Sequence, residues 1–425
     1  MDLLRILADQ RDEIYNLEIK NLISLPDEEE LNLDSKFAQV VIGVRRCGKS
    51  TLCQKVLLEK NIVFGYVNFD DERLSTLTHE EMDELLSCLY RLNGDFNTLF
   101  LDEIQNIKFW PLFVNRMLRQ GMHVIITGSN ANLLSSDLIT HLTGRYNKIE
   151  LYPFSFSEVC KARSIETGNY TTKSEALVKR TLDEYLMKGG LPEIIDGSAP
   201  RRYASNLLST IVKKDVVRRY KVKYPEALWN LSNVLLENPG GMISFTSLGE
   251  KLGIKSYHTV EKYVDYLSNA YLLVKIRKFS HKAIERKLTS KGYSIDPAFI
   301  SEHEDRYQSD GLGWRLENVV ALEILRRLKW DGEGELYFGQ LGREFDVDFI
   351  VSHKNHIKEI IQVCYNFVNP GVKLYNREIK NLFKAGKHYK CQNLTLVVME
   401  GESRIITEGY LNIKVVKATD WLQNR

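Results

Sequence analysis

Apolar and polar positions switch between two periods along this chain, and the switches divide it. Residues 1–25 place Leu3, Leu4, Ile6, Leu7, Ile14 and Leu17 near helical spacing, which predicts a helix ahead of the acidic stretch 27–30. From Ala38 the pattern becomes a solid apolar run (AQVVI), a loop (GVRRCGKS) and an amphipathic stretch (TLCQKVLLEK). Strand-like runs follow at 62–69, 98–101 and 123–127, with helical patterns between them. Strands alternating with helices at this spacing predict an α/β fold built on a doubly wound parallel sheet.

After Leu151 the strand signal fades, and helical patterns dominate to about residue 224, which predicts a small helical lid. Residues 225–280 read as a helix (ALWNLSNVLLEN), a Pro-Gly-Gly turn, a helix over SLGEKLG, a turn, a helix over HTVEKYVDYLSNA and the run YLLVKIRKF, an order that resembles a winged helix. A second, smaller α/β pattern follows. It has a helix at 313–328, strands near 335–338, 346–351, 359–364 and 394–399, and a helix at 373–385. The expected domains are therefore a sheet core (1–158), a helical lid (159–224), a winged helix (225–282) and a C-terminal α/β domain (283–425). A chain of 425 residues fits this number of domains.

Composition narrows the class. Hydrophobic residues at 44% and charged residues at 27% exclude a disordered, collagenous or coiled-coil chain. Lys plus Arg number 58 against 56 for Asp plus Glu, a net charge of +2, so any basic surface must come from local segregation. Six cysteines without a C-x-x-C pair write neither a zinc knuckle nor a disulfide framework, and reduced thiols are expected. The N-terminal residues lack the charged head and apolar stretch of a signal peptide, and no run reaches the ~18 apolar residues that span a bilayer. The expected location is cytoplasmic.

The first candidate chemistry is a phosphate cradle. Gly43-Val44-Arg45-Arg46-Cys47-Gly48-Lys49-Ser50 matches G-x-x-x-x-G-K-[ST] and stands between an apolar strand and an amphipathic helix, the context that gives the motif meaning. The glycines let the backbone wrap phosphate oxygens, and the loop amides from Gly43 through Thr51 and the helix N-terminus face the anion. Lys49 then reaches the outer phosphates and Ser50 ligates Mg²⁺. The run TLFLDE ends in Asp102, placed to organise the metal, and Glu103, placed to polarise a water. The run HVIITGSN ends in Ser129 and Asn130, which can sense a terminal phosphate from the carboxyl edge of a parallel sheet. ATP and Mg²⁺ are the expected cofactors.

GVRRCGKST, LFLDEIQN, Trp110-Pro111, ITGSNANLL, LTGRY and LYPFSFSE together resemble the prokaryotic AAA-type P-loop ATPases that carry a winged helix and a restriction-endonuclease-like C-terminal domain. The resemblance is specific over 43–158 and loosest past 280. It implies ATP hydrolysis and offers Arg145 as a finger reaching a neighbouring subunit's γ-phosphate, hence a homo-oligomer; a structural surface pair is the other reading of Arg145. Gly189-Gly190-Leu191-Pro192 resembles the turn that sets the lid on adenine, with Pro192 in contact, or is an ordinary helix stop.

Two basic clusters suggest DNA as a partner. Arg201, Arg202, Lys213, Lys214, Arg218, Arg219, Lys221 and Lys223 oppose one acid, Asp215, and Lys275, Arg277, Lys278, His281, Lys282, Arg286, Lys287 and Lys291 fall on the wing and just past it. Ser256, Tyr257, His258, Thr259, Lys262 and Asp265 are the polar residues of the recognition-helix candidate. A protein partner is the alternative. In the C-terminal domain Glu317, Asp348 and Gln362 line up with the nuclease-like metal set, and Asp346 and Glu344 are alternative acids. Position 364 is Cys where that pattern has Lys, with Lys373 or Lys380 as possible replacements. Metal-dependent cleavage and a degenerate fold kept for binding both stay open.

Overall fold

The computed structural model describes residues 2–19, 22–134, 142, 144–166, 168, 171–280, 289–300, 311–332, 334–342, 344–354 and 356–423. His281, Lys282, Arg286 and Lys287 of the second basic cluster lie outside the described residues, as does Thr143 of LTGRY. The chain divides into two units: residues 1–152 with 269–271, and residues 153–268 with 272–425. Among the described residues no helix is long and apolar enough to cross a membrane.

Unit 1 is built on five strands: β1 (Ala38–Ile42), β2 (Phe64–Asn68), β3 (Thr98–Asp102), β4 (His123–Gly128) and β5 (Tyr146–Glu150). They form one parallel sheet in the order β2-β3-β4-β1-β5. β1 and β3 are buried at every position, because helices cover both faces of such a sheet and leave no wet side to alternate toward. Helices α1 (Leu3–Tyr15), α2 (Lys49–Glu59), α3 (Met82–Asn93) and α4 (Trp110–Arg119) supply the cover. The helix expected over 1–25 stops at Tyr15, and the chain then turns in short steps from Leu17 to Ile14 and from Ile19 to Leu17. β5 was not anticipated. Its residues YNKIE are mostly exposed or half-buried, and only Ile149 is fully buried.

Unit 2 contains a nine-stranded mixed sheet: β6 (Gly241–Met242), β7 (Leu273–Lys278), β8 (Ser290–Ser294), β9 (Gly334–Leu341), β10 (Phe345–His353), β11 (His356–Asn366), β12 (Asn393–Glu400), β13 (Arg404–Glu408) and β14 (Leu411–Lys417). The order is β13-β14-β12-β11-β10-β9-β7-β8-β6. β7 pairs with β9 in parallel at Arg277–Tyr337 and Lys278–Phe338, so the strands after the helices Pro225–Leu236, Phe245–Leu252 and Tyr257–Asn269 continue into the C-terminal sheet. One core joins Phe156, from the end of the expected sheet core, and Leu182 and Tyr185 of the expected lid to Leu316, Val320, Phe349 and Ile361.

The Gly189–Gly190 turn is fixed inside unit 2 by a buried acid. Asp296 accepts from Gly190 N and from Ala298 N, each at 2.8 Å, and Phe154 N donates to Gly190 O at 2.8 Å. Gly189 has φ +74°, and a Cβ there would stand 1.7 Å from Asp296 Oδ1. Burial pushes the Asp296 carboxyl up from 3.8 to about 6, against the pull of the two amides and Arg326. The folded chain therefore holds this proton at pH values where the unfolded chain has released it, and the associated stability is lost as pH rises from about 4 to about 6. We expect the urea midpoint of the wild type to fall across that interval by the equivalent of at most about 3 kcal/mol relative to Asp296→Asn. Parallel midpoint–pH curves for the two proteins would refute this.

Candidate functional site

The loop after β1 closes on itself where only glycine fits. A Cβ on Gly43 would stand 2.2 Å from Leu151 O, so the chain at this point must lack a side chain. Arg46 and Gly48 take positive φ (+67° and +95°), turning the backbone into the first turn of α2. Lys49 is 4% exposed, and its Nζ donates to Gly43 O at 3.2 Å and Val44 O at 3.0 Å. The same ammonium lies 4.0 Å from Glu103 Oε1. The loop thus holds a buried cation beside the N-terminus of α2, the end of a helix that favours an anion. Cys47 is the loop's floor. It is fully buried, its Sγ lies 3.5 Å from Leu151 O, and burial pushes its thiol up, away from reactivity.

The second half of the site is the carboxyl end of β3. Asp102 is 3% exposed and is held by three hydroxyls. Ser50 Oγ donates to Oδ1 at 2.8 Å, Tyr66 OH donates to Oδ2 at 3.2 Å, and Thr127 Oγ1 donates to Oδ1. Burial, and then the charge of Glu103, push this carboxyl up, against Thr127, Ser50 and Lys49. A desolvated carboxylate beside a serine hydroxyl is a donor set of the hard-oxygen kind that Mg²⁺ accepts. Glu103 sits in the left-handed region (φ +52°), a conformation that non-glycine residues keep where surrounding structure over-determines it. Its N–H donates to Thr127 Oγ1 at 3.1 Å, and Gln105 Nε2 donates to its carboxylate.

Strand register places the third feature at the same edge. Ile42 lies opposite Gly128 and Leu101 opposite Ile126, so Ser129 and Asn130 leave the sheet beside the loop and Asp102. Both are buried, and Ser129 Oγ has no hydrogen-bond partner among the described residues. The structure therefore brings together Gly43, Gly48, Lys49, Ser50, Asp102, Glu103, Ser129 and Asn130. Arg45 reaches Asp70 at 3.1 Å, Arg46 is exposed, and Thr51 is half-buried in the first turn of α2. Arg145 is exposed, and its backbone bonds Ala38 N and Leu142 O. Pro192 belongs to unit 2, at the start of the short helix Pro192–Ile195. Tyr66, Thr127 and Gln105 were not singled out from the sequence. Only Gln105 carried a signal, two places after Glu103 in LFLDEIQN.

Unit 2 has its own polar cluster in an open cleft of about 740 Å³, walled in part by Glu317, Asp348, Gln362, Cys364, Arg377 and Glu378. Tyr293 OH donates to Glu317 Oε1 at 2.8 Å, Val363 N donates to Asp348 Oδ2 at 2.9 Å, and Asp348 N donates to Gln362 Oε1 at 3.2 Å. Lys291, expected on a basic DNA-facing surface, is instead buried on β8, with Nζ 3.7 Å from Glu317 Oε1 and 4.0 Å from Asp348 Oδ1. The correction has a simple cause: β8 is an interior strand between β7 and β6. Lys373 and Lys380 are exposed and do not line the cleft. Asp346 and Glu344 are exposed.

A family model described as an AAA domain matches residues 35–160, the loop and both following acids included, and one described as a domain of unknown function matches residues 179–306. The uncharacterized protein MJ1544 of Methanocaldococcus jannaschii is 32% identical over 424 residues, covering 96% of this chain and 93% of that one. An uncharacterized protein of Haemophilus influenzae is 29% identical, covering 92% and 95%. Among solved structures, a Walker-type ATPase of Pyrococcus abyssi is 14% identical, covers 65% of this chain and 93% of that one, and superposes with a TM-score of 0.39.

Thr127 is the position where the hydrogen bonds meet, since one hydroxyl serves Asp102 and the Glu103 amide together. Thr127→Val keeps shape and removes both, leaving buried polar groups short of partners; unfolding of the nucleotide-free protein should become easier by about 1–3 kcal/mol. An unchanged denaturant midpoint would show that the hydroxyl carries no such role.

Proposed function

This chain belongs to one family with the uncharacterized protein MJ1544 of Methanocaldococcus jannaschii, and from that premise and the AAA-type site of unit 1 we propose that it hydrolyses ATP with Mg²⁺ to drive a change of state on DNA. The fold supports ATP binding and hydrolysis. The observation that carries the finer reading is the chain of contacts from Lys49 in the loop, to Glu103, and from Ser50 to Asp102. Lys49, now resting on loop carbonyls, turns to the phosphates, while the loop amides fix them. Ser50 and Asp102 hold Mg²⁺, which when bound neutralises charge on the phosphate oxygens. Glu103 accepts a proton from the attacking water, its left-handed backbone held by the bond from its N–H to Thr127 Oγ1. Ser129 Oγ, without a partner among the described residues, is poised to report the terminal phosphate. Exposed Arg145 completes a neighbour's site, which makes the working form a homo-oligomer.

DNA as the partner is supported by the exposure of the first basic cluster and the burial of its one acid. Arg201, Arg202, Lys213, Lys214, Arg218, Lys221 and Lys223 are exposed, and Asp215, the lone acid among them, is buried. Ser256, Tyr257, His258 and Lys262 are exposed at one end of the helix Tyr257–Asn269, which fits a winged helix meeting a phosphate backbone. A second reading, a slow nucleotide switch with protein partners, is favoured by Gln105, which holds the Glu103 carboxylate in the resting site.

Steady-state ATP turnover separates the two. Glu103→Gln should keep nucleotide binding and lose at least about 10²-fold in kcat, while Lys49→Ala should lose binding. DNA should raise wild-type turnover, and a Lys213→Glu/Lys214→Glu variant should lose that stimulation along with a strongly salt-dependent affinity. Turnover indifferent to DNA, with ADP retained through purification, would decide for the switch.

A further inference from the structure

The residues of the unit 2 cleft do not fit the divalent metal that one of the two readings of the sequence places there. Among the described residues no group of three or more His, Cys, Asp or Glu side chains is placed to hold a metal ion. Several of the relevant oxygens already have protein donors: Tyr293 for Glu317 Oε1, Val363 N for Asp348 Oδ2 and Asp348 N for Gln362 Oε1. Glu378 is met by the Arg377 guanidinium, 2.6 Å from Oε1, which neutralises that carboxylate. Cys364 is buried, and burial pushes its thiol up to about 12, so it brings no charge.

What the cluster has instead is an ammonium. Lys291 is 9% exposed and stands between carboxylates on two different elements, the helix Gly311–Asp331 and β10. Its backbone is paired on both sides, with Met242 of β6 and Ile276 of β7, so the strand cannot carry it away into solvent. Phe338 closes one side of the ammonium at 5.4 Å from the ring centre. A buried lysine is tolerated only when paired, and this one has Glu317 at 3.7 Å and Asp348 at 4.0 Å. A metal ion bound by the same two carboxylates would have to share their field with that fixed positive charge.

We propose that Lys291 is the resident cation of this cluster: its ammonium stands where a divalent ion would, and the Glu317–Asp348 pair does not take up a metal. This goes beyond the ATP reading and does not depend on it.

Mn²⁺ titrations followed by electron paramagnetic resonance on the full, nucleotide-free chain test the proposal. Each protein is compared with its own Asp348→Asn version, so that Mn²⁺ bound in unit 1 cancels. Wild type and Asp348→Asn should bind alike. Lys291→Met should bind Mn²⁺ at least about tenfold tighter than Lys291→Met/Asp348→Asn, because a unit positive charge near 4 Å has been removed. Lys291→Arg should behave as wild type. Should Lys291→Met fail to fold, Glu317→Gln/Lys291→Met, which removes one charge of each sign and leaves Asp348, is read against its own Asp348→Asn version. Mn²⁺ binding by the wild type that Asp348→Asn abolishes, or no gain in the lysine variants, overturns the proposal. ATP turnover is no part of the readout, so a failure here and a failure of the ATPase reading are separate results.

Discussion

Everything in unit 1 converges on one buried carboxylate. Asp102 ends a strand with no wet face, and three hydroxyls from α2, β2 and β4 reach it, so a single acid ties together the loop helix and the strands on both sides of its own. The order of the sheet makes this possible. β4 lies between β1 and β3, so the loop after β1, the acid ending β3 and the polar residues after β4 all leave the sheet at one edge. Phosphate, metal and water chemistry need adjacency within a few ångströms, and parallel strands of matched register supply it without any long-range coincidence.

How much of this was legible depends on what each residue had to do. β1, β3 and β4 were readable because strands covered on both faces must be continuously apolar, and the glycine loop was readable because close backbone approach excludes side chains at Gly43. Tyr66 and Thr127 were not. Each stands in an apolar run where its ring or methyl group is enough to explain its presence, and only the folded register shows its hydroxyl meeting Asp102. β5 and β13 escaped for the opposite reason: as sheet edges they are largely exposed, and their residues YNKIE and RIITE carry little apolar signal.

Lys291 shows the limit most plainly. In the sequence it follows a line of lysines and arginines and reads as one more surface charge, while SKGYS has no apolar pattern to predict a strand. Pairing of β8 with β7 and β6 buries it regardless, and the carboxylates that make burial tolerable come from 26 and 57 residues further on, as the numbers 317 − 291 and 348 − 291 show. A charge run seen in one dimension cannot say which of its members are turned inward. Asp296 is the same lesson with the sign reversed, an acid that looks like a turn residue and is the buried acceptor for two amides.

The two units thus treat buried carboxylates in opposite ways, and the difference bears on what each can do. Asp102 is met by hydroxyls, while the nearby ammonium of Lys49 bonds to loop carbonyls, so the charge of Asp102 is stabilised but not cancelled. Such a site remains hungry for a cation, and its cation and its phosphate can arrive together, as a nucleotide with its metal does. Glu317 and Asp348 are met by a lysine built into the sheet, so one of their two charges is offset before any ligand arrives. Desolvation makes both arrangements costly, but only the first leaves the cost to be relieved by something that comes and goes. On that argument the buried charge of unit 1 is the one of the two that a bound cation can relieve, while a lysine of the fold already offsets part of that of unit 2.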